Sequence, residues 1–330
     1  MPANIRDVAK KANVSTATVS HVINETRFVS QDIQQRVQKA MADLNYRPNS
    51  AARSLRSRKS NIIGVVVPDI SNSFFVSFFQ AAARSLREKG YNILLGNSDD
   101  ELAAEEAQLR IFGAQSIDGL IIAPTAGDHK FLKAYVNDYP VVFIDRKPVG
   151  YDAGDYVTVD NERGANRAVS FLIEKGHKRI GIIAGMPGLT TTYDRLEGYR
   201  HALGDFGIPF DERLVKIGDS RINSGYQLTC ELLESTDITA LFVANNLMTI
   251  GSMYCLREKA VRIPEDLAII GFDDCEWAGI TDPPLSVVKQ PTHQMGIRCT
   301  EVILDRLTSN EYKEFETYCL PTELVIRDSC

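Results

Sequence analysis

The chain has 330 residues, 44% hydrophobic and 24% charged, with a net charge of −6; that is a globular composition with room for two or three domains. No apolar run approaches the ~18 residues of a membrane span, and the opening MPANIRDVAK lacks an apolar signal core, which argues for a cytoplasmic protein with no membrane partner. The charge is unevenly spread: residues 1–60 hold 11 Lys and Arg against 4 Asp and Glu, a net +7, while the remaining 270 carry −13.

A small basic head on an acidic body is the footprint of a DNA-binding module joined to something else. In chain order, NIRDVAKKANV predicts a helix capped by Asn4, with Ile5, Val8, Ala9 and Ala12 inside. After the turn ANVS, STATVSHVIN predicts a second helix on the spacing of Val19, Val22 and Ile23. Its remaining residues are weak helix formers, and Thr16, Ala17, Ser20, His21 and Asn24 point away from the apolar stripe. SQDIQQRVQKAMADLNY predicts a third helix, with Ser30 as cap and Ile33, Val37, Met41 and Leu44 inside. Three short helices with the first two tightly joined make a helix-turn-helix head over 1–47. Pro48 then opens a basic hinge and linker over 48–60, PNSAARSLRSRKS, with one exposed leucine, Leu55.

From residue 61 onward short apolar runs alternate with amphipathic helices. The runs are IIGVVV, NILLG, GLIIA, VVFID, VTVD, RIGIIAG, ALFVAN, LAIIGFD, LSVVKQ and a late PTELVI, with helices such as NERGANRAVSFLIEKG and NLMTIGSMYCLREK between them. Strands alternating with helices imply parallel sheets covered on both faces. The expected fold class is therefore a small all-α head plus an α/β core of two doubly wound parallel-sheet lobes over 61–330. The first lobe is expected from 61–160 and 291–310, the second from 161–290 and 311–330.

Enzyme chemistry finds little support. No G-x-G-x-x-G follows a strand, neither a phosphate-binding G-x-x-x-x-G-K-[ST] nor a G-x-S-x-G occurs, and the histidines at 21, 129, 177, 201 and 293 lack metal spacing. No catalytic residue, metal or cofactor is expected. The cysteines Cys230, Cys255, Cys275, Cys299, Cys319 and Cys330 form no C-x-x-C pair and read as reduced thiols.

Ligands of open α/β sheets sit beyond the carboxyl ends of the strands. Those ends carry Asn72, Phe74 and Phe75, then Asp145 and Arg146, then Asn245, then Phe272 and Asp273, then Gln290; the helix after RIGIIAG carries Arg195. Each has an ordinary alternative: the asparagines could cap helices, the charges could be solvated and the phenylalanines could be core. Together they suit a small polyol, whose hydroxyls both donate and accept and whose C–H faces lie on aromatic rings.

The head motif IRDVAKKANVSTATVSHVIN, the following YRPNSAARSL, and EGY, GFDD and KQP in the body resemble the LacI/GalR family of bacterial transcription regulators over nearly the full chain. STATVSHVINETRFVS is most similar to the purine and ribose repressor branch. The resemblance implies a periplasmic-binding-protein-like core and a second helix lying in the major groove. It assigns DNA contacts to Thr16, Ala17, Thr18, Ser20, His21, Asn24 and Arg27. In a hinge helix that orders on DNA it adds Asn49, Ala52, Arg53, Leu55 and Arg56, with Leu55 as a minor-groove wedge. The strand-end residues match the pocket pattern of ribose-binding members, with three departures: Ser73 for proline, Asn246 for aspartate, and Ser220 where an aromatic is usual. The function implied is a homodimeric repressor on a pseudo-palindromic operator, controlled by a ribose-like monosaccharide. A purine or other corepressor, or a protein partner, is the alternative; a sugar-binding transport protein fits the basic head poorly.

Overall fold

The computed structural model describes residues 3–24, 27–46, 59–135, 139–309 and 313–330. It divides into two compact units, 1–60 and 61–330.

The head holds helices α1 (Ile5–Ala12), α2 (Thr16–Asn24) and α3 (Gln31–Asp43). Asn4 caps α1: its Oδ1 accepts from the Arg6 and Asp7 amides at 2.8 and 3.3 Å, and the Asp7 carboxylate accepts from the Asn4 amide in return. This reciprocal box fixes where the helix starts. Asn13, at φ 53°, takes the left-handed turn that ends α1, a conformation asparagine tolerates. Ser15 then opens α2, its Oγ accepting from the Thr18 amide at 3.0 Å. Ser30 stands at the start of α3, but its side chain makes no cap bond there. The core is Val8, Ala9, Ala12, Val19, Val37 and Ala40, so packing holds the weakly helical α2 in place.

The larger unit contains two six-stranded sheets. In chain order the first lobe supplies β1 (Ile62–Val67), α4 (Ser73–Glu88), β2 (Asn92–Asn97), α5 (Leu102–Ala114), β3 (Gly119–Ile122), α6 (Leu132–Tyr135), β4 (Val141–Ile144) and β5 (Asp155–Val159). The second supplies α7 (Asn161–Glu174), β6 (Ile180–Ala184), α8 (Thr190–Asp205), β7 (Val215–Ile217), α9 (Ile222–Ser235), β8 (Ala240–Val243), α10 (Asn246–Glu258), β9 (Ala268–Phe272) and β10 (Ser286–Lys289). Helix α11 (Thr292–Thr308) returns to the first lobe; β11 (Thr317–Leu320) and β12 (Glu323–Val325) end the chain. The strand orders are β11-β5-β4-β3-β1-β2 and β12-β10-β9-β8-β6-β7, so the first five strands of each lobe wind identically. All pairings are parallel except β10 with β12. Strands β3, β4, β6, β8 and β9 are buried along their whole length, as expected of parallel strands covered on both faces.

Three segments cross between the lobes, at 160, 290–291 and 321–322. The first and third are stapled together, since Asp160 Oδ1 accepts from both the amide and the hydroxyl of Thr322 at 2.7 Å.

Two expectations are corrected. Residues 317–320 do not belong with the second lobe: β11 runs parallel to β5, from Thr317 opposite Tyr156 to Leu320 opposite Val159. As an edge strand it buries too little apolar surface to show the run that marks a central strand. The cysteines are also not all thiols, for Cys230 and Cys255 are disulfide-bonded with Cα atoms 6.0 Å apart. Their helices α9 and α10 lie unusually close because glycines face the contact: a Cβ on Gly225 would meet the Met248 carbonyl, and one on Gly251 the Ile222 carbonyl. Among the described residues no helix is long and apolar enough to cross a membrane.

Candidate functional site

Both sheets present their carboxyl ends to one cleft between the lobes. Asp145 follows β4 and Asp273 follows β9, the fourth strand in winding order of each lobe. Both take left-handed backbone, φ 64° and 82°, as do Asp99, Asp100 and Ser220 in neighbouring loops. Such conformations are costly for residues other than glycine and gather where function demands them.

Each aspartate meets an arginine. Arg146 lies between Asp100, at 2.5 Å, and Asp145, at 3.5 Å, with its guanidinium 5.8 Å from the Phe75 ring centre. Arg195 donates to Asn161 Oδ1 at 2.9 Å and to the Ala244 carbonyl at 2.7 Å, and its guanidinium carbon lies 3.7 Å from the Phe272 ring centre. Gln290 donates to Asp273 at 2.6 Å. Burial pushes the carboxyls of Asp145 and Asp273 above the usual range, outweighing the opposing pull of the arginines, and lowers Arg195. Asp145 Oδ1 and Gln290 Oε1 are buried without a hydrogen-bond partner. Buried polar atoms left in this way are expensive; these two are acceptors, and Arg146 Nε, also buried without a hydrogen-bond partner, is a donor, so the site calls for a ligand that both donates and accepts.

The cavity lined by these groups measures about 30 Å³. That is room for a water or two, against ~300 Å³ for the smallest usual ligand pockets. Anything larger must part the lobes or move side chains.

The structure brings together Asn72, Phe74, Phe75, Asp145, Arg146, Arg195, Asn245, Asp273 and Gln290 around the cavity. Phe272 is fully buried in the second lobe's core and reaches the site only as the surface beneath Arg195. The asparagines are also caps: Asn72 Oδ1 accepts from the Phe74 amide at 3.0 Å, and Asn245 Oδ1 from the Met248 amide at 2.9 Å. Sequence reasoning missed Gly185, Leu189, Thr191, Thr192 and Ala244 in the lining, and the supports Asp100 and Asn161. Asp100 could have been found, because it follows β2 at a strand end. Thr191 and Thr192 gave no signal beyond lying in the first turn of α8. Ser220 lines the cavity, and its Oγ accepts from the Met186 amide at 3.1 Å.

On the head, Thr16, Ala17 and Arg27 are exposed, while Thr18, Ser20 and His21 are half-buried along the same helix region. The Thr18 hydroxyl is 2.9 Å from Ser15 Oγ. Asn24 ends α2. Asn49, Ala52, Arg53, Leu55 and Arg56 lie outside the described residues. Among the described residues no group of His, Cys, Asp or Glu is arranged to hold a metal.

The pattern of bacterial regulatory proteins of the lacI family matches residues 4–49, and that of a periplasmic binding protein-like domain matches 169–330. The chain is 33% identical over 316 residues to the HTH-type transcriptional repressor PurR of Vibrio atlanticus (strain LGP32), covering 94% of each chain. It is 34% identical over 310 residues to the ribose operon repressor of Escherichia coli (strain K12), covering 93% of each. Among solved structures, the lac repressor dimer bound to operator and the anti-inducer ONPF aligns with a TM-score of 0.86 at 28% identity, over 100% of this chain and 99% of that one.

Proposed function

The chain belongs to the lacI family of bacterial regulatory proteins, and from that premise we propose that its cleft binds a small polyhydroxylated ligand, a ribose-like monosaccharide, that controls the head's grip on operator DNA. The protein is a DNA-binding transcriptional repressor and not an enzyme. The observation that carries the ligand reading is the pair of partnerless buried acceptors, Asp145 Oδ1 and Gln290 Oε1, set among Asp273, Arg146 and Arg195. Hydroxyls would satisfy the acceptors and take hydrogen bonds from the guanidiniums, while Phe74 and Phe75 cover a C–H face. The aromatic pair stands edge-on, with centroids 4.9 Å apart.

The control follows from the two lobes. A ligand too large for the cavity is accommodated where the lobes part around it, and to that extent binding and lobe angle are linked. The protein works in the cytoplasm as a homodimer on a pseudo-palindromic operator. Its hinge, residues 48–60, passes the change in lobe angle to paired heads, whose second helices read the major groove through Thr16, Ala17 and His21.

A purine is the second reading, favoured by the similarity to PurR repressors. Calorimetry on the full chain separates the two, with D-ribose and neighbouring pentoses in one series and hypoxanthine and guanine in the other. Heat with a pentose alone supports the sugar reading, and heat with a purine alone replaces it. Silence with both directs attention to a protein partner.

A further inference from the structure

Asn246 stands where the family resemblance places an aspartate; its side chain does not line the cavity, although its backbone amide bonds the Asp273 carboxylate. It opens α10 in the second lobe and is 1% exposed. Its Oδ1 accepts from the Leu247 amide at 2.8 Å, a group that only donates, so the amide orientation is fixed. Its Nδ2 therefore faces the other lobe, where Asn72 Oδ1 accepts at 2.7 Å and Ser73 Oγ lies at 3.2 Å. Cys275 Sγ lies 3.5 Å from the same nitrogen and 2.9 Å from Ser73 Oγ.

We propose that Asn246 is a latch between the lobes: it holds the cleft closed without a ligand, and it makes Asn72 a pure donor toward the cavity. The first part follows from where the other contacts across the cleft lie. Arg221 donates to the Asp99 carbonyl at 2.9 Å, and the Lys147 amide to Thr190 Oγ1 at 3.1 Å. Both involve exposed residues, where water competes for the same groups; the remaining one, Ser73 Oγ with Cys275 Sγ, is half-buried and belongs to the same cluster as Asn246. The Asn246 bond is buried, and opening it strands an amide and a carbonyl until water reaches them. The second part is a count of lone pairs. Asn72 Oδ1 has two; one is taken by the Phe74 amide and the other by Asn246. Only the Asn72 Nδ2 hydrogens remain for a ligand, so the ligand atom beside Asn72 must be an acceptor. This second part rests on the cleft being the ligand site; the latch itself does not.

The test is Asn246→Asp in the full chain at pH 8, followed by hydrogen–deuterium exchange without any ligand. The aspartate is the same size, still accepts from the Leu247 amide and suits the first turn of a helix; its buried charge should lower overall stability, so circular dichroism first checks that the variant is folded. An ionised carboxylate cannot donate, and it would sit against Asn72 Oδ1. Backbone amides of 72–76 and 275–278 should exchange about tenfold faster, while peptides from β8 and β9 are unchanged. Asn246→Ala, with an unshifted melting of the second lobe as its control, should accelerate the same two segments. Unchanged exchange at 72–76 and 275–278 in both folded variants would overturn the latch. Because no ligand is added, failure of the polyol reading leaves this result standing. In the second arm, Asn72→Asp keeps acceptors for the Phe74 amide and Asn246 but offers the cavity no donor, so D-ribose affinity should fall about tenfold; unaltered affinity overturns the donor-only role of Asn72.

Discussion

Asp273→Asn separates what the site does from what the fold needs. Asp273 is 8% exposed, accepts from Gln290 at 2.6 Å and lies in the field of Arg195. Asparagine fills the same space and keeps an acceptor for Gln290, but it loses the charge and turns one oxygen into a donor. A hydrogen bond to a charged group contributes about 1.5–3 kcal/mol, so affinity for D-ribose should fall about tenfold to more than a hundredfold. Stability should move the other way. Burial raises the Asp273 carboxyl despite Arg195, which means the charge is a net cost to the folded state. The neutral variant should melt at the same temperature or higher. Calorimetry gives the affinity and differential scanning calorimetry the stability. Affinity within about twofold of wild type, or a melting temperature that falls together with the affinity, would refute the reasoning, because Asp273 would then be a structural residue.

Asp145 supplies a pH test of the same cost. Its folded-state carboxyl is raised above 3.8 by burial, so the folded state takes up the proton first, and the penalty is full near neutrality and fades as pH falls toward 4. The stability advantage of Asp145→Asn over wild type should therefore shrink between pH 7 and pH 4; a constant gap across that range counts against it. With a head of net +7, operator affinity measured by fluorescence anisotropy should drop about tenfold or more between 50 and 200 mM salt, and a flat response would remove the electrostatic argument. Leu55→Ala should weaken operator binding and bending while leaving D-ribose binding unchanged; unaltered bending would return Leu55 to packing. Gly251→Ala places a methyl on the Ile222 carbonyl oxygen, so chemical denaturation should show a loss of about 1–3 kcal/mol, and a neutral result would mean the α9–α10 contact yields easily.

The sequence disclosed every central strand, but of the four edge strands only β2 (NILLG) and β12 (PTELVI). IIGVVV, VVFID and LAIIGFD are buried on both faces, so every residue carries the signal. Val215–Ile217 and Thr317–Leu320 sit at sheet edges, with no fully buried residue in either, and nothing in VKI or TYCL separates them from loop. The β11 segment was placed in the wrong lobe for the same reason. Partner choice depends on where the chain re-enters, and a four-residue edge strand carries no trace of that. Site residues were legible where a rule of topology applied, at strand ends. They were not where the lining comes from a helix's first turn, as with Thr191 and Thr192, or from a backbone carbonyl, as with Ala244. The Cys230–Cys255 pair was hidden because it depends on how near α9 and α10 approach, which Gly225 and Gly251 set only once the two helices are known to cross.

The cleft is a place where stability is given up for responsiveness. Two like charges, Asp145 and Asp273, face each other from equivalent positions on two lobes, and burial disfavours both. Arg146 and Arg195 offset that cost without cancelling it, and Asp145 Oδ1 and Gln290 Oε1 remain unpaired. Closing the lobes around an incomplete polar cluster is thus opposed by the cluster itself and favoured by contacts beside it, chiefly Asn246 with Asn72 and Ser73. Opposing terms of about a few kcal/mol each would bring two lobe angles close in free energy, which is the condition for a small ligand to choose between them. A ligand that completes the cluster changes the sum by the hydrogen bonds it supplies, and only an arrangement of hydroxyls that meets every orphaned acceptor supplies enough. On the proposed reading, selectivity for the ligand and sensitivity of the switch have one physical source, the unsatisfied polar atoms that the two sheets bring to a common edge.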